Sequence, residues 1–234
     1  MKVIIDEKGN RYFWRKGDFT CTFGMIKEAD IKNGIVESSI KKKFIIFDGT
    51  FADELDNLKR GPALMNKKDI GLIISYAGVG LKSKVVDAGV GCGALASSLA
   101  RIGCDVTSYE IKEEHADVAR KNFERTGMKV ELKVKDIYEG IDEKNLDLIT
   151  LDLLEPRKVL KHAYTSLKSG GFLVCYVTNV SQIMEMVGAV ESNEFFIERI
   201  IENIEREWDV NSIRARPSSS GIMHTGFLVF LRRI

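Results

Sequence analysis

The residues of this chain that can do chemistry fall in a few short runs. The first is Val85-Val86-Asp87-Ala88-Gly89-Val90-Gly91-Cys92-Gly93-Ala94-Leu95. A strand-like apolar run enters three glycines at alternate positions, and a helical pattern opens directly after them. Such glycines let the backbone turn sharply and approach a ligand closely. Dinucleotide sites space theirs G-x-G-x-x-G and set a pyrophosphate on the helix N-terminus. Here an acid precedes an even G-x-G-x-G, and Asp87 suits a cationic ligand better than a diphosphate.

The next apolar run ends in Ser108-Tyr109-Glu110, where a carboxylate can accept from both hydroxyls of a ribose. A third leads to Lys135-Asp136-Ile137, with Asp136 placed for an adenine amino group and Ile137 for the flat of the ring. A fourth ends Leu151-Asp152-Leu153-Leu154-Glu155-Pro156, and a fifth carries Tyr176-Val177-Thr178-Asn179. One acid alone is an ordinary loop charge. Acids at the ends of successive strands stand where an open α/β sheet binds its ligands.

The elements that must hold these residues are legible from periodicity. Residues 1 to about 48 read as short strands punctuated by Gly17, Gly24, Gly34 and Gly49, predicting a small antiparallel barrel or meander. Phe51–Lys59 reads as a helix that Gly61-Pro62 breaks. Lys67–Ala77 is an amphipathic helix, with Ile70, Ile73, Ile74 and Ala77 at helical spacing. Strict alternation follows: strand Lys84–Ala88, helix Ala94–Ile102, strand Asp105–Glu110, helix Lys112–Thr126, strand Lys129–Val134. Strand Leu146–Leu151, helix Arg157–Leu167, strand Phe172–Thr178 and helix Val180–Val190 complete it. Such alternation predicts a mostly parallel, Rossmann-like sheet with helices on both faces. The β-branched run from Phe195 to Trp208, continuing through Val210–Ile213, suits a long strand, and Gly226–Leu231 a final one. The division is a small N-terminal β domain over residues 1–58 and an α/β domain over 59–234.

The acid-x-Gly-x-Gly-x-Gly loop resembles the first motif of class I S-adenosylmethionine methyltransferases. Several further features together resemble the tRNA (adenine-N1)-methyltransferase family. They are Gly61-Pro62 with Lys68-Asp69, Asp152–Pro156, Tyr176 with Asn179, Glu207-Trp208, Arg216-Pro217 and the ending His224-Thr225-Gly226-Phe227-Leu228-Val229-Phe230. The resemblance implies methylation of N1 of T-loop adenine 58 in tRNA, with 57 a second target in archaeal members. It also implies a homotetramer whose N-terminal domains help to hold the tRNA. It places Asp87, Gly89, Gly91, Cys92, Gly93, Ala94, Leu95, Glu110, His115, Asp136, Ile137 and Asp152 around the cofactor. Asp152 is its catalytic acid, and Tyr176 shapes the adenine pocket. Asn66, Tyr176, Arg216 and His224 fall on the substrate side. Two positions depart from the pattern: Asn66 where many members carry an aromatic or imidazole group, and Arg157 where tryptophan is common. Arg157 is expected to face a phosphate.

Composition narrows the remaining classes. The 234 residues are 44% hydrophobic, so a substantial core is available. Thirty-five Lys and Arg against 34 Asp and Glu leave a net charge of +1, which excludes a histone-like binder held by bulk charge. Any nucleic-acid contact must then come from clusters, and Lys41–Lys43, Lys59-Arg60, Lys67-Lys68 and Arg214 with Arg216 offer a broken track. Four scattered cysteines and three histidines show no zinc-ligand spacing, so no metal is expected and the thiols read as buried free groups in a reducing cytoplasm. The opening MKVIIDEKGN is too short and polar for a signal peptide, and no run approaches a membrane span. Two other readings share the cofactor loop: a small-molecule, corrinoid-type methyltransferase and a non-catalytic tRNA-binding subunit.

Overall fold

The computed structural model describes residues 1–61, 64–190, 194–219, 221 and 224–234. Pro62 therefore lies outside the described residues. The chain divides into two compact units, Met1–Leu58 and Lys59–Ile234.

The first unit holds β1 (Lys2–Ile5), β2 (Arg11–Trp14), β3 (Phe19–Cys21), β4 (Gly24–Ile26), β5 (Gly34–Glu37), β6 (Lys43–Asp48) and α1 (Phe51–Asp56). Its main sheet is antiparallel in the order β2-β1-β6-β5. A meander would pair only sequence neighbours; here β6 returns to β1, with Ile4 opposite Ile46. The two-stranded β3–β4 hairpin adds Ile26, and with Ile31 it completes a core around Ile4, Phe44 and Ile46. Period-two alternation decides this: Phe44 and Ile46 are buried, while Lys43 and Ile45, which alternate with them, face out.

The second unit opens with α2 (Lys67–Ala77). It continues through β7 (Lys84–Ala88), α3 (Ala94–Arg101), β8 (Asp105–Glu110), α4 (Glu113–Thr126), β9 (Glu131–Val134) and β10 (Leu146–Asp152). Then come α5 (Leu160–Ser166), β11 (Leu167–Val177), α6 (Val180–Ala189), β12 (Phe195–Glu202), β13 (Trp208–Asn211), β14 (Arg214–Pro217) and β15 (Phe227–Arg233). Seven strands form one sheet in the order β12-β15-β11-β10-β7-β8-β9. The ladders from β11 through β9 are parallel, and β15 runs antiparallel to both neighbours. Both faces are covered. Val86, Ile149, Leu173 and Leu231 pack with Leu160 and Ala163 of α5 and Met186 of α6. On the opposite face Phe230 meets Tyr76 of α2, ring centroids 5.7 Å apart.

Strand order fixes where a ligand can sit. From β7 the chain winds outward through β8 to β9, then jumps back across β7 to β10. Adjacent loops leave in opposite directions at that reversal, opening a crevice at the carboxyl ends of β7 and β10. Those ends carry Asp87 and Asp152.

The tail departs from expectation. The strand begun at Phe195 stops at Glu202, because Asn203 turns its carbonyl oxygen and side-chain amide toward Lys68 instead of a ladder partner. Residues 208–217 fold on themselves as a separate hairpin, β13 with β14. Asn211 Oδ1 accepts from the Ile213 N–H (3.0 Å) at its turn, the local bond that makes Asn a turn former. Pro156 likewise starts a short 3₁₀ turn, Pro156–Val159, so the helix expected from Arg157 begins at Leu160.

Candidate active site

Glycine geometry builds the site first. Gly89, Gly91 and Gly93 all have positive φ (83°, 54° and 80°), conformations costly for any side chain. A Cβ on Gly89 would lie 2.2 Å from the carbonyl oxygen of Asp152. One on Gly93 would lie 2.5 Å from the Phe123 ring. The loop thus presses against β10 on one side and α4 on the other. A small cavity remains, lined by Met65, Asp87, Gly89, Val90, Gly91, Cys92, Ala94, Leu95 and Asp152.

Its acids are electrostatically distinctive. Burial pushes the Asp87 carboxyl up to about 7. The Thr150 hydroxyl, donating to Oδ1 at 2.7 Å, opposes that shift, while Asp152 and Glu110 add to it by repulsion. Burial also pushes Asp152 up to about 6. Carboxyls held this way gain from a cation arriving among them and would repel a pyrophosphate. The described lining offers oxygen acceptors and a glycine cradle, and it contains no Lys or Arg to anchor a phosphate. That set fits a sulfonium nucleoside. On that test the residues match S-adenosylmethionine and not a dinucleotide.

The other expected cofactor residues stand at the next strand ends. Glu110 closes β8, buried, and one of its oxygens accepts from the Lys112 N–H (3.0 Å). His115, in the first turn of α4, sits 3.7 Å from that same oxygen. Asp136 follows β9 and caps a short turn by accepting from the Tyr138 N–H (2.8 Å), with Ile137 buried beside it.

On the substrate side, the ladder sets Asp152 directly opposite Tyr176. The Tyr176 hydroxyl donates to the Thr225 carbonyl at 2.7 Å. Burial raises its pKa, the Thr225 side chain opposes the rise, and the charges of Asp69 and Asp152 reinforce it. Asn66 follows Met65 and makes no side-chain cap to α2. Both ring nitrogens of His224 are engaged within the chain, Nδ1 with Glu202 Oε1 (2.7 Å) and Nε2 with the Thr178 carbonyl (3.2 Å). The Glu202 carboxylate is the main cause of its raised pKa. Arg216 is exposed on β14, paired in register with Asp209.

Two expectations about cations need correction. Lys68 does not belong to a surface track: its side chain is 7% exposed and paired at 2.8 Å with Asp69, itself 1% exposed. Arg157 turns to carboxylates rather than standing ready for a phosphate, donating to Glu155 (3.0 Å) and Glu185 (3.3 Å).

Two residues escape the sequence reading. Met65 lines the cavity without motif or period to mark it. Asn122, 1% exposed on α4, accepts from the Lys59 N–H and donates to the carbonyls of Lys59 and Cys92, each at 2.9 Å. It fastens the segment before α2 to the glycine loop. A polar residue on the buried stripe of a helix is the available signal. Asn122→Ala leaves these backbone groups unpaired, at about 1–3 kcal/mol each. It is expected to raise the cofactor Kd roughly tenfold, read by calorimetry. A lowered Tm with unchanged Kd would restrict Asn122 to stability.

Among the described residues, no helix is long and apolar enough to cross a membrane, and no group of three His, Cys, Asp or Glu side chains could hold a metal ion. All four cysteines are free thiols.

Comparison with known proteins then places the chain among relatives. Residues 56–226 match the family described as "tRNA methyltransferase complex GCD14 subunit". A Methanocaldococcus jannaschii protein named tRNA (adenine(57)-N(1)/adenine(58)-N(1))-methyltransferase TrmI is 32% identical, over 99% of this chain and 94% of its own. A Thermus thermophilus protein named tRNA (adenine(58)-N(1))-methyltransferase TrmI is 33% identical, over 86% of this chain and 81% of its own. The crystal structure of a Thermotoga maritima protein named SAM-dependent O-methyltransferase superposes with a TM-score of 0.92 at 26% identity, covering 100% of this chain and 92% of that one.

Proposed function

The chain belongs to the tRNA methyltransferase complex GCD14 subunit family, and from that premise we propose that it transfers a methyl group from S-adenosylmethionine to N1 of adenine 58 in the T-loop of tRNA. The observation that carries this reading is the meeting of the Gly89 backbone with Asp152 at the switch point of the sheet. It puts a cofactor loop and a carboxylate within one cavity.

When bound, S-adenosylmethionine supplies an electrophilic methyl group. Asp87, Glu110 and Asp136 are the residues that hold its amine, ribose and adenine. The Gly89–Leu95 turn supplies bare backbone, and Met65, Ile137 and His115 complete the wall. Adenine N1 is already nucleophilic, so in-line positioning is the main demand on the protein. Methylation leaves the base cationic, with the exocyclic amine sharing the charge. Asp152 accepts from that amine and stabilises the charge as it develops. The base is stacked within folded tRNA and must be extruded, at a cost of a few kcal/mol. Tyr176 walls the pocket that receives it, with Asn66 beside it and Arg216 facing the RNA.

Radiolabelled S-adenosylmethionine and unmodified tRNA test the assignment, followed by mapping of the methylated nucleoside. Label at adenine 58 is expected, and label at 57 as well would align the chain with its Methanocaldococcus relative. The pH profile gives a second check. Asp152 must be ionised, so at saturating cofactor kcat falls on the acid side of the profile, and Asp152→Asn removes that limb.

A small-molecule methyltransferase is the second reading, favoured by the likeness to the Thermotoga protein, which is named an O-methyltransferase. Methylation of a metabolite with tRNA left untouched would support it. A non-catalytic subunit would have no use for the intact Asp87–Gly93 loop together with Asp152.

The assembly we propose is a homotetramer. Strand β12 lies at the sheet edge with Phe196 and Ile200 exposed, and the β13–β14 hairpin exposes Trp208, Val210 and Ile213, the last at 93%. Edge strands and apolar patches of this kind are usually covered by another chain. Light scattering is expected to give the mass of four chains, and a monomer would remove this part of the proposal. We propose a cytoplasmic location, which suits a tRNA substrate and four free thiols.

A further inference from the structure

Two buried charges outside the cofactor cavity, Lys68 and Asp69, converge on the side chain of Thr225. We propose that Lys68, Asp69 and the run His224-Thr225-Gly226 form a clasp that fixes the pose of Tyr176. In it Thr225 is a positioning residue for the methyl acceptor rather than an RNA contact. The inference rests on the reading above that Tyr176 walls the acceptor pocket.

The bonding closes completely around Thr225. Its hydroxyl donates to Asp69 Oδ2 (2.9 Å) and accepts from Lys68 Nζ (2.7 Å). Lys68 also donates to Asp69 Oδ1 (2.8 Å) and to the Asn203 carbonyl (2.7 Å), which uses all three ammonium protons. Asn203 Nδ2 returns a bond to the Lys68 carbonyl (3.1 Å). Next to this ring, the Thr225 carbonyl accepts the Tyr176 hydroxyl (2.7 Å). Gly226 supplies the seat: a Cβ there would lie 2.6 Å from Tyr176 Cζ, so the phenol rests on bare backbone. His224, with one nitrogen on Glu202 and the other on the Thr178 carbonyl, pins the run between the ends of β12 and β11.

The network joins the first turn of α2, the ends of β11 and β12, and the approach to β15. Thr225 and Lys68 are 157 residues apart in sequence. A buried ion pair is a poor source of net stability, because desolvation offsets most of its attraction. What it provides is a single geometry, since any other would leave a buried charge unmatched. Residues 224–226 precede the β15 ladder, so their position depends on these side-chain bonds. A tyrosine held at ring and hydroxyl presents one face to an incoming base and spares the reaction the entropy of selecting it.

A double-mutant cycle tests the clasp. Thr225→Val removes the hydroxyl, Thr225→Ser keeps it, and Tyr176→Phe cuts the bond to Thr225. Each variant is read by kcat and KM for tRNA, by cofactor Kd from calorimetry, and by Tm. Thr225→Val is expected to lower kcat/KM for tRNA roughly tenfold or more with little change in cofactor Kd. Thr225→Ser should restore it to within about threefold, and in the Tyr176→Phe background Thr225→Val should add less than about threefold. Equal losses in both backgrounds, or Thr225→Ser as impaired as Thr225→Val, overturn the clasp. Thr225→Ala takes the valine's place in the same cycle if that variant does not fold. Undiminished tRNA methylation by Tyr176→Ala would sink the pocket reading itself. Impairment of Tyr176→Ala with an additive cycle would sink the clasp alone.

Discussion

Asp152→Ala is expected to lower kcat for tRNA methylation by roughly 10²–10³, the scale of losing one preorganised group aimed at developing charge. The cofactor should still bind, because the glycine loop, Asp87 and Glu110 are untouched. Burial sets this carboxyl at about 6, so at pH 7 it is ionised by roughly ten to one. It is held where ionisation is costly, and a proton-sharing amine recovers part of that cost when the base becomes cationic. Stability should move the other way. The folded-state pKa lies above the ordinary value of 3.8, so the group's favourable contribution is complete only below that value and is lost as pH rises through 6. Above pH 6 the ionised carboxylate therefore opposes folding, and Asp152→Ala should hold or raise Tm at pH 8. Turnover near wild type in a folded variant would remove Asp152 from the mechanism. A lowered Tm at pH 8 would mean that the carboxylate supports the fold.

The second large effect is expected from Gly89→Ala. Its Cβ would have to fit 2.2 Å from the Asp152 carbonyl, well inside contact distance, at a φ of 83°. Left-handed backbone costs a non-glycine residue about 1–2 kcal/mol, and overpacking typically adds about 1–3 kcal/mol. In a chain of this size those sums lower Tm by roughly 5–15 °C. Relief requires β7 and β10 to part at the site itself, so cofactor binding is expected to weaken at least about a hundredfold. Gly127→Ala is the control: its φ is 69°, but nothing lies within 4 Å of the added carbon. That variant should show a small stability loss and wild-type cofactor affinity. If Gly89→Ala behaved the same way, the close approach of the loop to β10 would have no bearing on the ligand.

These residues also show where sequence reasoning reaches and where it stops. Helix Lys67–Ala77 and strands Lys84–Ala88 and Asp105–Glu110 are readable to the residue, because periodicity and glycine are local signals. The glycine loop and the acids at successive strand ends are readable for the same reason. Lys68 reads as a surface cation, since nothing near it in sequence announces partners at Asn203 and Thr225. Asn122 and Met65 go unmarked because their importance is a matter of three-dimensional neighbours. The tail misleads in part, because a β-branched run looks the same whether it continues a sheet or folds back into a hairpin.

The place of β15 has a consequence for how the molecule comes into being. It lies between β11 and β12 although it follows both in the chain. During synthesis β12 emerges with no neighbour to dock against, and must wait until residues 227–233 leave the ribosome. Long-range pairing of this kind is slow to form. The seat that Gly226 offers Tyr176 arrives with that same strand. Protein made but not yet finished therefore has a glycine loop and the β10 carboxylate, but lacks the Thr225 carbonyl and the Gly226 seat on which Tyr176 rests.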